Sequence, residues 1–299
     1  MNYVLISIGN VPEYIKYTIN TILSVDSDAV VYLGTDQNID YKNVKIINLK
    51  NIESEQTKYL KELNIYKDTI FDNNPLWLSS LLRIFYLRDL QKELGLANLV
   101  HFDNDVLIYK PFEDYNSCFE ENKFNITPAF KTRLVFGFSY ISNLEIFDTI
   151  CNNLQNIINL GDKSNWEFHS NTPPNEMDLL GMVYSKDNNL FNPIPTLPYN
   201  SNILFDPSSY GQYIDGSHVH PKKFYSRKSI NFNDLIGVEL YSKRINSKFV
   251  NNKPYVFWEK KSYELCNLHI HSKRFEKFLP KNYKSLIKNF FTIYFFHPK

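Results

Sequence analysis

The chain has 299 residues, 43% of them hydrophobic and 22% charged, with a formal net charge of +1. That length permits one large α/β domain with a sizeable core, and a near-neutral balance supplies no global field toward nucleic acid or acidic polymers. Three scattered cysteines, Cys118, Cys151 and Cys266, without CxxC spacing, argue against a disulfide framework or a zinc site and fit a reducing cytosol.

Residues 1–10 (MNYVLISIGN) carry neither a basic leader nor a small-residue cleavage site, and the apolar run is only a strand long, so a cytoplasmic location is expected. Residues 3–8 read as a strand broken at Gly9 and Asn10, and residues 11–23 show helical spacing with Pro12 near the start. Residues 29–33 form a second apolar run closed by Gly34, Thr35 and Asp36, and residues 44–49 a third. Such alternation predicts a parallel, doubly wound sheet. Asp36 stands where it could meet a nucleoside or simply shape a turn.

Pro75 opens PLWLSSLLRIFYLRDLQKELG, an amphipathic helix stopping at Gly95, which can bring Arg83 or Arg88 toward the next strand's end. That strand lies in residues 98–111 (NLVHFDNDVLIYKP), where an apolar run delivers Asp103, Asn104 and Asp105 together. Two like charges at the end of a buried strand need water or a cation to balance them, and carboxylate oxygens suit Mg²⁺ or Mn²⁺. The plain alternative is a solvated turn containing two aspartates. In sheets of this type, ligands bind beyond the carboxyl ends of the strands.

Farther on, FNITPAF and RLVFGFSYIS read as strands, the second interrupted at Gly137, and Asn143 can cap the helix LEIFDTICNNLQNIINL. NEMDLLGMVYS follows as a short helix opening with Glu176 and Asp178. These carboxylates could hold hydroxyls or accept a proton, with Asp178 the preferred choice; as ordinary first-turn acids they would complement the helix dipole. Residues 192–254 look rich in loops, including the segment ILFDPSSYGQYIDGSHVHP. Trp166, Tyr210 and Tyr213 could stack on a sugar or only anchor their loops, and His101, His169, His218 and His220 read individually as surface or core residues.

NLHIHSK (267–273) alternates so that His269, His271 and Lys273 share a strand face, bringing two potential metal ligands and one candidate phosphate cation together. The aromatic run in residues 283–299 is too short to span a bilayer; it suits either a packed final helix or peripheral docking at a membrane. GxGxxG and Walker A sequences are absent, and GFSYI departs from the nucleophile elbow.

With these residues in view, the chain resembles the metal-dependent, DxD-containing nucleotide-sugar glycosyltransferases of the GT-A fold, of the lipopolysaccharide, capsule and viral glycan type. HFDNDVLIYKP is similar to their DxD strand, Arg83 in LLRIFYL to the arginine facing nucleotide or donor sugar, NEMDLLGMVY to the acidic segment lining the pocket, and NLHIHSK to the late histidine and lysine. HSK lacks the glycine that one large branch places between the two. Gly211-Gln212-Tyr213 is nearer to another branch.

The resemblance implies a GT-A (Rossmann-like) α/β domain over residues 1–279, with a mixed, mostly parallel sheet flanked by helices and a C-terminal helical annex at 280–299. It implies transfer of a sugar, of the hexosyltransferase type, from a nucleotide donor, expected to be UDP-linked, to a glycan or glycolipid acceptor. Asp103, Asp105 and one of His269 and His271 would hold Mn²⁺ or Mg²⁺; Gly9, Asp36, Arg83, Asp103, Asn104 and Lys273 would face the nucleotide sugar; Asp178 and Glu176 would serve catalysis. A metal-dependent phosphodiesterase and a non-catalytic glycan-binding module are the competing classes, and no nucleic-acid partner is expected.

Overall fold

The computed structural model describes residues 1–130, 133–160, 173–199, 201–214 and 234–280. It opens on β1 (Asn2–Ser7), whose successive side chains go to opposite faces: Tyr3 and Leu5 join one core cluster, Val4 and Ile6 another. Burial on both faces is what a central parallel strand requires. After Gly9, in the left-handed region at φ +80°, a turn closed by Ile15 N–H on the Pro12 carbonyl (3.0 Å) delays the first helix, so α1 spans Ile15–Val25 rather than starting at residue 11.

β2 (Val30–Thr35) and β3 (Val44–Asn48) match the two further apolar runs. Two helices missed in the sequence reading follow, α2 (Leu49–Ile52) and α3 (Glu55–Leu63), capped by Asn48 and Ser54. Helix α4 (Pro75–Leu94) has both expected ends: the Asn74 side chain accepts from Leu76 N–H, Pro75 opens the helix, and Gly95 closes it at φ +60°. From Leu81 to Gln91 all but Arg83 are buried, so its middle is covered on nearly all sides rather than on one stripe; α2, α3, α5 and α6 (the last two defined below) all pack on it. A Cβ at Gly95 would meet nothing within 4 Å, so Gly95→Ala is expected to cost only the left-handed backbone term, about 1–2 kcal/mol, read by urea denaturation.

The acidic strand splits into β4 (Leu99–Phe102) and β5 (Val106–Ile108), with the Asp-Asn-Asp turn between them. Then come β6 (Phe124–Phe130), β7 (Arg133–Ile141), α5 (Leu144–Leu160), α6 (Glu176–Lys186) and β8 (Phe191–Pro193). Seven strands form one sheet in the order β3-β2-β1-β4-β7-β6-β8. All neighbours are parallel except those of β7, which runs against β4 and β6. The result is a mixed α/β architecture with a mostly parallel sheet flanked by helices.

Residues 192–254 were expected to be loops, but described parts of that stretch form regular elements. It contributes α7 (Tyr210–Tyr213), α8 (Leu235–Tyr241) and β9 (Asn246–Val250), followed by β10 (Lys253–Trp258), β11 (Lys261–Glu264) and β12 (Asn267–His269). β9, β10 and β11 form an antiparallel meander whose two tight turns, Asn251-Asn252 and Glu259-Lys260, sit entirely at positive φ. A separate core forms here from Tyr210, Tyr213, Ile236, Val256, Leu268 and their neighbours. Both tyrosines proposed for sugar stacking are therefore buried. Trp166, His169, His218, His220 and the tail at 281–299 lie outside the described residues. Among the described residues no helix is long and apolar enough to cross a membrane, and all three cysteines are free thiols.

Candidate metal centre

The chain runs from β1 outward through β2 and β3, then returns to β4 on the other side of β1. The switch point of the sheet thus falls between β1 and β4, and in open α/β sheets ligands bind beyond the carboxyl ends of the strands at such a point. The turn after β4 is pinned there by its middle residue: Asn104 Nδ2 donates to the Ile6 carbonyl (3.0 Å), while the Asn104 carbonyl accepts from the Thr18 hydroxyl (2.7 Å). With Asn104 facing the scaffold, Asp103 and Asp105 are presented together.

The third member comes from far along the chain. β12 pairs antiparallel with β5, setting His269 opposite Val106, and Ile270 N–H donates to the Asp105 carbonyl (2.8 Å). His269 Nε2 lies 2.9 Å from Asp105 Oδ1, and His269 Nδ1 lies 3.7 Å from Asp103 Oδ2. Ligand atoms of Asp103, Asp105 and His269 all fall within 4.8 Å of one another. Gly137 keeps this space open, since a Cβ there would come within 3.3 Å of Asp103 Oδ2.

Two cations complete the group. Lys273, on a turn at φ +58°, pairs with Asp105 Oδ2, and Arg83, from α4, pairs with Asp103 Oδ1. Burial by itself would push the Asp105 carboxyl up; the charges and hydrogen bonds of His269 and Lys273 override it and hold the group well below the usual carboxylate range. The Arg83 guanidinium lies over the Phe136 ring at 5.3 Å, and its Nε is buried without a hydrogen-bond partner.

The remaining sequence candidates separate by location. His271 stacks on His269, ring centroids 4.3 Å apart, but the strand ends at His269 and the His271 Nε2 donates to the Ser208 carbonyl (2.8 Å). Gly9 N–H donates to Asp36 Oδ1 (2.9 Å), tying the ends of β1 and β2 on the same edge of the sheet. Asp178 is the third residue of α6; its carboxylate is bound by Arg133 Nε and accepts from Asn175 N–H in a capping box. Glu176, at the start of α6, has its carboxyl pushed up by burial, against the opposing charge of Arg83. Arg88 points elsewhere, to Asp89, Asp148 and Ser54. His101 is a core residue: its Nδ1 donates to the Val4 carbonyl (2.7 Å), and burial together with the Arg83 charge lowers it to about 3.

Sequence reasoning missed two contributors. Arg133, at the start of β7, gave no signal in the sequence; Asp206 offered only an Asp-Pro turn. Asp206 is nonetheless fully enclosed, and its carboxylate accepts from the backbone N–H groups of Tyr210, Gly211 and His269.

No family model matches the chain, and no curated protein does. Solved structures similar to it include the PaToxG glycosyltransferase, 16% identical over 62% of this chain and 69% of that one, with a TM-score of 0.41. The apo-form glycosyltransferase GlyE of Streptococcus pneumoniae TIGR4 is 11% identical over 64% of this chain, at a TM-score of 0.40; the match spans 44% of GlyE's length. An active-site mutant of LgtC is 10% identical over 98% of both chains, at a TM-score of 0.44.

Proposed function

We propose that the protein is a metal-dependent glycosyltransferase of the GT-A type, moving a sugar from a nucleoside-diphosphate donor, UDP-linked in our reading, to a hydroxyl of a glycan or glycolipid. The observation that carries this reading is the convergence of two carboxylates and an imidazole at the sheet's switch point, with a lysine and an arginine against them. The donor set fits Mn²⁺ or Mg²⁺: two hard carboxylates and one borderline nitrogen, close enough to share one ion and few enough to leave positions for phosphate oxygens. Such an ion, held by Asp103, Asp105 and His269, would supply Lewis-acid stabilisation of a diphosphate leaving group.

The chain's own residues divide the other tasks. Lys273 is exposed, so its ammonium could turn from Asp105 toward a phosphate oxygen, adding a point charge where negative charge grows. Arg83, held by Asp103 and the Phe136 ring, would orient the donor from a fixed place. Gly9 and Asp36, joined at the neighbouring strand ends, suit contact with the nucleoside. Glu176, its carboxyl raised by burial near Arg83, suits holding a sugar hydroxyl or accepting the acceptor's proton. Asp178, engaged by Arg133, would act on the sugar only by sharing that contact.

The test is calorimetry with UDP-, GDP-, CMP- and dTDP-sugars, each with Mn²⁺ and with chelator. Metal-dependent binding of one nucleotide is expected. Absence of binding to all of them, with hydrolysis of a simple phosphodiester instead, would move the protein to the phosphodiesterase class.

A further inference from the structure

Among the described residues, Asp206 is a buried carboxylate beside the site that the metal reading leaves unused. Asp206 is 1% exposed, and its two carboxylate oxygens accept three backbone N–H bonds: Tyr210 at 2.8 Å, Gly211 at 3.1 Å and His269 at 3.0 Å. Its own backbone is locked to Asn267, whose side chain accepts from Asp206 N–H and donates to the Asp206 carbonyl, both at 3.0 Å. A buried carboxylate is costly unless its lone pairs are filled, so so complete a set of donors marks a fixed position.

The geometry explains what is being fixed. β12 has β5 on one side only, and the His269 N–H points away from β5. Unpaired, that buried N–H would be destabilising. Asp206 Oδ2 takes the place of a missing neighbouring strand. The His269 carbonyl is packed as closely: a Cβ on Gly211 would lie 2.0 Å from that oxygen, so the chain passes there only because residue 211 is glycine. His271 adds a clasp by bonding the carbonyl of Ser208, which sits at φ +84°. Residues 206–211 thereby hold the backbone of His269 on both its N–H and its carbonyl.

We propose that Asp206 is the positioning residue for the His269 imidazole, setting the metal affinity of the Asp103, Asp105 and His269 group without touching the ion. The role rests on the metal reading above. Asparagine cannot replace it, because three N–H donors need acceptors on both oxygens, and an amide would turn an NH₂ toward one of them.

The experiment compares parent and Asp206→Asn by Mn²⁺ titration calorimetry, thermal unfolding and the His269 ring resonances in chelator. The expected result is a fall in Mn²⁺ affinity of about ten-fold to a hundred-fold, the size seen when an outer partner of a metal ligand is removed. It is accompanied by shifted His269 resonances and an unfolding midpoint within a few degrees of the parent's. Parent-like affinity in the variant, or a loss confined to unfolding temperature, would overturn the proposal. Should Asp206→Asn not fold, amide exchange in the parent decides: the His269, Tyr210 and Gly211 amides must be strongly protected, and rapid exchange at His269 refutes the clamp. Shifted His269 resonances with no Mn²⁺ uptake by either protein would support the clamp while removing the metal reading.

Discussion

Asp105→Asn is expected to lower metal-dependent donor turnover by about 10³-fold or more while the protein keeps its fold. Asparagine preserves the volume and one oxygen at His269 Nε2, but it removes the charge that balances a divalent ion. The side chain is nearly enclosed, at 10% exposure, so the change lands where solvent screening is weak. Lys273, 40% exposed, can release its lost partner to water, which is why stability should be spared. Turnover of a UDP-sugar, measured with Mn²⁺ and with chelator, reads the effect. A variant that turned over donor at the parent rate with metal chelated would show that the carboxylate serves some other purpose.

Arg88→Ala should do the reverse, destabilising the protein by about 3 kcal/mol with no change in Mn²⁺ affinity. Arg88 and Asp89 are almost completely buried and paired at 2.7 Å, and the guanidinium also reaches Asp148 at 2.8 Å and the Ser54 hydroxyl at 3.1 Å. Through Ser54 and Asp148 it ties α4 to the caps of α3 and to α5. Removing it leaves the Asp89 carboxylate buried with hydrogen bonds from Ser54 N–H and the Thr57 hydroxyl but no counter-charge. Urea denaturation with and without Mn²⁺ separates the two quantities. A loss of metal binding in a stable variant would mean that Arg88 acts on the site after all.

The contrast between Arg83 and Arg88 marks where the sequence stops being informative. They lie five residues apart on one helix, which turns 100° per residue, so they face different ways. Both looked able to reach the acidic edge because the helix was read as one-sided; burial from Leu81 to Gln91 shows that its far side is covered by α3 and α5, where a second charge needs its own partners. The parallel strands, the Pro75 and Gly95 ends of α4 and the Asn143 cap, whose side chain accepts from Glu145 N–H, were legible because each rests on local chemistry. So was the acidic turn, whose apolar flanks make it a buried strand's end.

The meander was not legible, since its strands are short, carry lysines on their outer face and turn on Asn-Asn and Glu-Lys pairs whose positive φ is a property of the folded hairpin. The Asn-Asn pair was the available signal, masked by the prolines upstream. Asp206 was illegible for a different reason: its three donors lie at positions 210, 211 and 269, and only the folded chain brings the last of these beside the first two. The choice between His269 and His271 depended likewise on where β12 ends. Alternation placed the rings on one side, and the pairing of His269 with Val106 decided which of them reaches both aspartates.

An anomalous diffraction map from crystals soaked with Mn²⁺ and UDP tests the metal centre most directly. A single strong peak within coordinating distance of Asp103, Asp105 and the His269 imidazole, with diphosphate density reaching it from the side of Lys273, is the expected result. A peak elsewhere, or UDP bound with no metal between it and the two carboxylates, would contradict it.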